Sequence, residues 1–279
     1  MSKVKIVTDS TLDISDEILR QYNIEVVSLS VNIEGESFLD RVEITPSQFL
    51  EKLKQSKELP KTSQPAVGKF VDVYNRLGAD GSEVLSIHMT EGMSGTVASA
   101  KSAAEMADAK VTVVDSRFIS LALSFQVIEA AKMAEQGKSV NEIVEKLDKV
   151  REATSLYLMV DTLEYLAKGG RIGRGKALLG SILNVKPIAS LADGVYTPVT
   201  KVRTYNKMIT YFRNMFEKET EGRTVKAIGI VHVDAYDLAS RLKAELEKLT
   251  SVEVTLSETT PVISTHTGPG ALALMYYSE

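Results

Sequence analysis

The first half of the chain repeats one order of elements, a short apolar run, a polar loop and then a helix-forming segment. The apolar runs 4–7, 83–89 and 110–114 are each followed by a loop of hydroxyl and charged residues. Short buried strands joined by crossover helices form parallel sheets. This order predicts an α/β fold with a mainly parallel sheet, whose polar loops gather outside the carboxyl ends of the strands, where ligands bind in such sheets.

The second half follows a different pattern. The runs 186–191 and 195–202 flank Ala192-Asp193-Gly194, which is typical of a hairpin turn. Helical segments and further strand-like runs follow up to the end of the chain. Hairpins mixed with helices favour an α+β domain with a largely antiparallel sheet. We therefore expect an N-terminal α/β domain over 1–153 and a C-terminal α+β domain over 154–279.

Composition excludes several classes of function. The chain has 279 residues, a net charge of −4 and no cysteine, so a basic nucleic-acid surface, disulfides and cysteine-ligated metals are not expected. The three histidines, His88, His232 and His266, form no local metal motif, and we expect no metal site. Neither a signal peptide nor an apolar stretch of about 18 residues is seen, which favours a cytoplasmic location.

The tail segment 265–270 holds His266 between two threonines and before Gly268-Pro269-Gly270. Glycine lets the backbone come close to a ligand, and an imidazole can donate a hydrogen bond to an anion or move a proton near neutral pH. Without partners elsewhere in the chain, the same residues form an ordinary loop with a solvated histidine. The segment is interpreted as a loop that becomes functional only if other polar groups meet it.

Two hydroxyl-rich loops offer such partners. Thr62-Ser63 precede a Gln64-Pro65 step, and the proline favours an extended backbone before it. Ser94-Gly95 stand between a strand and an alanine-rich helix, where backbone N–H groups at the helix start attract anions. Each motif alone is also what an ordinary helix cap looks like.

Further polar loops remain open to either a structural or a functional interpretation. Gly169-Gly170 end a predicted helix, and Arg171 follows directly, so it either stabilises the helix end or meets an anionic group. Asp9 and Asp115 follow two predicted parallel strands, and they either face a ligand or bond to their own loops.

Taken together and in this order, the motifs resemble the DegV family. The matching segments are Val7-Thr8-Asp9-Ser10, Thr62-Ser63-Gln64-Pro65, Ser94-Gly95-Thr96, Gly169-Gly170-Arg171-Ile172 and Thr265-His266-Thr267-Gly268-Pro269-Gly270. The family includes the fatty-acid-binding subunits of bacterial fatty acid kinase. Ala66 and Val97-Ala98 depart from residues common in the family, and none of them belongs to the expected head-group site.

The resemblance implies a long-chain fatty acid buried between the two domains. Thr62, Ser94 and His266 would surround its carboxylate, and Arg171 would lie at the head-group surface. Ser63, Gly95, Thr267 and Gly268 complete the implied ligand-binding set. Ile87, Met89, Met93 and Ile263 are candidates for the tunnel that holds the chain.

The resemblance further implies a carrier without cofactors or catalysis of its own. A separate ATP-dependent fatty acid kinase would phosphorylate the bound acid, giving an acyl phosphate for phospholipid synthesis, and this chain has no phosphate loop. The alternative is a serine hydrolase acting on acyl esters, with Ser94 as nucleophile, His266 as base and Asp9 or Asp115 behind it. The segment around Ser94 lacks the Gly-x-Ser-x-Gly elbow of many hydrolases. A regulatory module without a ligand is the third interpretation.

Overall fold

A computed structural model describes residues 3–178 and 185–279. The first half of the chain alternates strands and helices, largely as the sequence predicts. In chain order they are β1 (Val4–Asp9), α1 (Asp16–Gln21), β2 (Glu25–Val27), β3 (Ser30–Ile33), β4 (Glu36–Leu39), α2 (Pro46–Gln55), β5 (Lys61–Ser63), α3 (Val67–Gly78), β6 (Glu83–His88), α4 (Thr96–Met106), β7 (Val111–Asp115), α5 (Ser120–Glu135) and α6 (Val140–Glu152).

Within the described residues, four of these strands form a fully parallel sheet in the order β2-β1-β6-β7. Its central strands are buried on both faces, since Val7, Val84, Leu85 and Ile87 are all 0% exposed. Apolar side chains on both faces are what a parallel sheet covered by crossover helices requires. The α/β prediction for this half of the chain is confirmed.

The first half also contains a small antiparallel sheet that the sequence did not predict. Among the described residues it has the order β4-β3-β5. The apolar run 24–31 predicts a single strand, and this prediction is wrong. The chain leaves the parallel sheet after Val27, and the backbone N–H of Leu29 donates to Ser10 Oγ at 3.1 Å. Thr62 and Ser63 lie on β5 of this sheet and not on a loop.

The second half contains hairpins and helices. Its elements are β8 (Thr154–Met159), α7 (Glu164–Lys168), β9 (Lys186–Ser190), β10 (Thr197–Val202), α8 (Tyr205–Thr220), β11 (Val225–His232), α9 (Tyr236–Leu246), β12 (Val254–Glu258), α10 (Pro261–Thr267) and β13 (Leu272–Ser278). In the described part of the chain, six strands form a sheet in the order β10-β9-β8-β13-β11-β12. Every pair in it is antiparallel except β11 with β12, so the α+β prediction is confirmed.

Two local predictions in this half differ from the structure. The sequence predicts a helix over 176–183, which overlaps the described residues only up to Leu178. The chain there forms a 3-10 helix, Gly173–Leu178, and residues 179–184 lie outside the described residues. The spacing of Asp161 and Glu164 also predicts a capping box, and this is wrong, since Leu163 precedes α7 and the backbone N–H of Glu164 donates to Thr162 Oγ1 at 3.1 Å. Asp161 instead pairs with Lys186 at 2.7 Å.

Helix α5 connects the two large sheets through the core. It contacts β1 and β6 of the parallel sheet and β8, β11 and β13 of the mixed sheet. Many of its own side chains are buried, including Leu121, Leu123 and Val127. The backbone of β11 comes so close to this helix that a Cβ on Gly229 would overlap the side chain of Leu121. Helix and sheet are therefore in close contact at this glycine.

A buried carboxylate organises the end of β1. Asp9 accepts hydrogen bonds from Thr11 N at 3.0 Å, from Thr11 Oγ1 at 2.6 Å and from Met89 N at 2.8 Å, and His88 Nδ1 lies 3.1 Å away. Burial alone would raise the pKa of Asp9, but His88 and these donors hold it below its usual range. The other ring nitrogen of His88 lies 2.6 Å from Ser86 Oγ, to which Tyr74 donates at 2.8 Å.

We expect Asp9→Ala to lower the free energy of unfolding by about 3–5 kcal/mol, because it leaves several buried donors without their shared acceptor. Urea denaturation followed by circular dichroism measures this loss. Asp108→Ala removes an exposed carboxylate and is the control, with an expected change within about 0.5 kcal/mol. Equal stability of the two variants would contradict a structural role for Asp9.

Candidate functional site

A cavity of about 340 Å³ lies between elements of both halves of the chain. Its volume is at the lower end of the range for small-molecule sites, about 300–1,000 Å³. Polar side chains from β5, the loop after β6, the segment after α7 and α10 form part of its wall: Thr62, Ser63, Gln64, Ser94, Arg171, His266 and Thr267. The structure thus brings together most of the site residues that the sequence singles out.

The rest of the wall is apolar. It consists of leucine, isoleucine, valine and methionine side chains from both halves: Leu29, Met89, Met93, Ile119, Leu158, Leu166, Leu191, Val262 and Ile263. A further hollow of about 20 Å³ shares Ile119, Leu158 and Ile263 with this cavity and continues towards Ala273 and Met275 of the mixed sheet. Ile87, a candidate tunnel residue, does not line the cavity and lies in the core of the parallel sheet.

His266 and Thr62 meet across the cavity wall. His266 Nε2 lies 2.8 Å from Thr62 Oγ1, although the two residues are far apart in sequence. His266 Nδ1 is buried and has no hydrogen-bond partner among the described residues. A Cβ on Gly169 would overlap this nitrogen, so the backbone after α7 lies directly against the imidazole.

The imidazole of His266 is uncharged near neutral pH. Burial and, to a smaller extent, the positive charge of Arg171 together lower its pKa to about 4. A neutral imidazole has one N–H donor and one acceptor nitrogen. His266 can therefore donate one hydrogen bond to an anion without carrying charge itself.

The segment that carries His266 is a helix, and the loop predicted for it is wrong. Pro261 occupies the first turn of α10, and the helix ends at Gly268, which has a φ of +73°. Valine, isoleucine and threonine have low helix propensity, so the sequence pattern does not indicate a helix here. Thr267 faces the cavity, whereas Gly268 does not line it and a Cβ there would overlap the ring of Tyr165.

Ser94 lies on the cavity wall just before α4. The N-cap position of that helix is Gly95 and not Ser94, but Ser94 Oγ still accepts from Thr96 N at 3.3 Å and lies 2.8 Å from Thr96 Oγ1. Its hydroxyl is thus held near the amino end of a helix, where the helix dipole favours negative charge.

Gln64 is a cavity residue that the sequence interpretation missed. Its side-chain amide donates to Ser99 Oγ on α4 at 3.1 Å and lies against Gly95, where a Cβ would overlap it. Gly95 does not line the cavity; its place in the motif is explained by this close contact. The Gln64-Pro65 step after two hydroxyl residues is the sequence feature that could have drawn attention to this position.

Arg171 places a positive charge in the wall. Its guanidinium donates through Nε to the carbonyl of Met93 at 3.0 Å and through Nη1 to the carbonyl of Gly169 at 2.6 Å. No carboxylate within residues 3–178 and 185–279 forms an ion pair with it. The cavity therefore has a cation that is oriented by carbonyl groups and not neutralised by an acid.

The aspartates after the parallel strands do not reach this site. Asp9 bonds to His88 and its neighbours, and Asp115 accepts from the backbone N–H of Arg117 at 2.8 Å. Within the described part of the chain, His266 has no carboxylate behind it, and its bonded hydroxyl is that of Thr62 and not Ser94. The relay of Ser94, His266 and an aspartate that a hydrolase needs is not assembled.

The described residues contain neither a metal-binding cluster nor a membrane-spanning helix. No group of three or more histidine, aspartate or glutamate side chains there is arranged to hold a metal ion. No helix in the same residues combines the length and the apolar character that crossing a bilayer requires.

Comparison with known proteins extends over the whole chain. Residues 3–279 match the profile of a family described as "Uncharacterised protein, DegV family". A DegV domain-containing protein of Listeria monocytogenes is 43% identical over 281 residues, which cover 100% of both chains.

Solved structures resemble this fold closely. A fatty-acid-binding DegV family protein from Thermus thermophilus is 33% identical, with a TM-score of 0.94 over 99% of this chain and 100% of that one. DegV from Bacillus subtilis, described as a fatty acid binding protein, is also 33% identical, with a TM-score of 0.93 over 100% of both chains.

We expect Arg171→Ala to raise the pKa of His266 from about 4 while leaving it below 6.5, because burial remains. An NMR titration of the ring nitrogens measures this, with His266 assigned by its loss in His266→Asn. Arg171→Lys keeps the charge and should keep the low pKa. Arg174→Ala is the control, since Arg174 pairs with Asp193 at the surface. An unchanged pKa in Arg171→Ala would contradict electrostatic coupling across the cavity.

Proposed function

Because this chain belongs to the DegV family, we propose that it binds a long-chain fatty acid in the cavity between residues 1–153 and 154–279. The observation that carries the proposal is the wall itself. It is largely apolar but contains hydroxyls, a neutral imidazole and an arginine that forms no ion pair with the described residues. The resemblance to the fatty-acid-binding proteins of Thermus thermophilus and Bacillus subtilis supports it.

The carboxylate of the ligand is held by the polar wall. Ser94 donates a hydrogen bond to it, and Arg171 supplies positive charge nearby. The bonded pair of Thr62 and His266 donates a second hydrogen bond, through whichever member does not already donate to the other. Removing a carboxylate from water costs several kcal/mol, and each hydrogen bond to a charged partner contributes about 1.5–3 kcal/mol. These groups offset the cost of burial and fix the position of the head group, but they add little affinity beyond that. The bound negative charge also favours protonation of His266.

The acyl chain supplies most of the affinity. At about 0.8 kcal/mol for each buried methylene, roughly fifteen methylenes contribute on the order of 12 kcal/mol before the costs of association. We place the chain along Leu158 and Ile263 towards the hollow beside Met275, because the two cavities share these wall residues. Small side chains such as Ala273 leave room in that direction.

In this proposal the protein is a carrier and not an enzyme. A separate ATP-dependent fatty acid kinase phosphorylates the presented carboxylate, and the acyl phosphate enters phospholipid synthesis in the cytoplasm. The chain has no Gly-x-x-x-x-Gly-Lys-Ser/Thr loop that would bind ATP phosphates. The unpaired charge of Arg171 makes it the residue that meets the incoming phosphate or the kinase. No observation favours the serine hydrolase, since among the described residues Ser94 and His266 are not bonded to each other and no carboxylate stands behind the imidazole.

We expect protein purified from bacterial cells to carry a long-chain fatty acid at about one molecule per chain. Native mass spectrometry gives the mass of the bound ligand, and mass spectrometry of the organic extract identifies it. The proposal would be contradicted if protein purified in the same way from cells supplied with fatty acids contained no fatty acid.

We expect Ser94→Ala and His266→Ala to reduce acyl-phosphate formation by the kinase at least tenfold, which corresponds to about 1.4 kcal/mol at the head group. Binding of the acyl chain, measured by displacement of a fluorescent fatty acid, should change less because the apolar wall is intact. Ser102→Ala, on the exposed face of α4, is the matched control for Ser94→Ala. Normal phosphorylation in both cavity variants would refute the role given to these residues.

A further inference from the structure

Two carboxyl groups are buried beside the first turn of α10, outside the proposed head-group site. Asp13 is 8% exposed and Asp40 is 0% exposed. Both belong to the first half of the chain, whereas α10 belongs to the second. They are the acidic groups through which the first half holds the helix that carries His266.

Asp13 binds the residues that lead into α10. One carboxylate oxygen accepts from the backbone N–H of Thr260 at 3.1 Å, and the other accepts from Thr259 Oγ1 at 2.8 Å. Ser120 Oγ, at the start of α5, donates to that second oxygen as well. Asp13 thus joins the start of α10 to the central helix of the core.

Asp40 binds the backbone two residues after Thr260, at Val262. It accepts from Ser10 Oγ at 2.7 Å and from the backbone N–H of Val262 at 3.4 Å. Every group bonded to either carboxyl is a donor, which suits the ionised form of both acids. Burial acts in the opposite direction, because a charge without water around it is costly.

The charged groups that face this pair are few. Each acid feels Arg41, and Asp40 also feels the charge of Asp13. The guanidinium of Arg41 does not bond to either of them; it donates to the carbonyls of Leu12 and Ile14, and it pairs with Asp16 at 2.8 Å.

Burial raises the pKa of Asp13 to about 6, with its hydrogen bonds and Arg41 acting against that rise. Burial also raises the pKa of Asp40 to about 7, and the charge of Asp13 adds to the rise. Both values lie well above the value of 3.8 for a hydrated aspartate.

We propose that Asp13 and Asp40 are positioning residues that hold α10 against the first half of the chain, and that ionisation of the pair favours detachment of the helix. Detachment would hydrate both carboxyls and move His266 away from Thr62, which opens the cavity. The inference rests on the proposed function only for this last consequence, the release and uptake of a fatty acid.

The direction of the pH effect follows from linkage. The attached state holds its protons up to about pH 6–7, whereas in the detached state the hydrated acids lose theirs near pH 4. The attached state is therefore favoured most below about pH 4, and the preference falls as pH rises from about 4 to about 6–7. Above that range both states are ionised and the balance no longer changes.

Other ionisable groups lie on the described elements that pack against α10. Glu51, Lys54, Lys61, Glu164 and Lys168 are exposed, and Lys52 and Tyr165 are half-buried. Two histidines also lie close: His266, at the far end of α10 with a pKa of about 4, and His232, whose backbone carbonyl accepts from Thr259 N. Burial lowers the pKa of His232, and its charged neighbours are Glu258 and Asp234.

Hydrogen exchange of the ligand-free protein tests the proposal without any fatty acid. We expect the protection of α10 amides, corrected for intrinsic exchange and compared with amides of β11, to fall at least about tenfold between pH 5 and pH 8. Asp13→Asn and Asp40→Asn should each reduce this dependence, and the double variant should remove it and keep α10 protected at pH 8. Asp72→Asn, at an exposed site on α3, should behave like the wild type.

The wild-type profile is sufficient to overturn the proposal even if the double variant fails to fold, since equal protection of α10 at both pH values contradicts it. A pH dependence that persists unchanged in a folded double variant contradicts it as well. The rate of fatty-acid exchange, measured with a fluorescent analogue, should rise with pH in the wild type and not in the double variant. If no fatty acid binds at all, the proposed function fails while the exchange result still decides the fate of the carboxyl pair.

Discussion

The attachment of α10 is the interaction on which the cavity depends. The helix has seven residues, far too few to be stable by itself in water. Its conformation is therefore imposed from outside, by Asp13 and Asp40 at its first turn and by the Thr62 contact at His266 near its last. These bonds join distant parts of the sequence, so the cavity wall exists only when both halves of the chain are folded together.

The polar wall carries a positive charge at Arg171, and this charge decides which ligands the cavity can bind. Arg171 is bonded to backbone carbonyls, which orient the guanidinium without cancelling its charge. That same charge helps to keep His266 neutral. The wall therefore offers attraction and donors to an anion, while a cation gains neither. Since the remaining surface is apolar, an anionic head on a long apolar body fits both parts.

The sequence predicts the large sheets well, because they depend on local patterns. Apolar runs followed by polar loops placed Ser94 at a strand end, and the hairpin at Ala192-Asp193-Gly194 marked the second half of the chain. The resemblance to the DegV family is likewise confirmed. The division at residues 153 and 154 stays a prediction, and α5 packs against strands on both sides of it.

The failures have a common physical cause, which is that distant contacts override local preference. α10 is rich in β-branched residues and becomes helical because buried carboxyls far away in sequence accept its first N–H groups. Thr62 becomes part of a strand because β3 provides a partner for it. Gln64 reaches the cavity through its contact with Gly95 and Ser99, which no spacing rule describes.

The buried group of Asp9, His88 and Ser86 shows that the geometry of a catalytic triad does not by itself make an active site. A carboxylate, an imidazole and a hydroxyl stand in the same order as in a serine hydrolase, with hydrogen-bond distances between successive members. All three side chains are 0% exposed, and Tyr74 covers the serine. A search for catalytic triads by distance would select this protein for a reaction that no substrate can reach. Solvent access, more than the arrangement of the three groups, separates a structural network from an active site here.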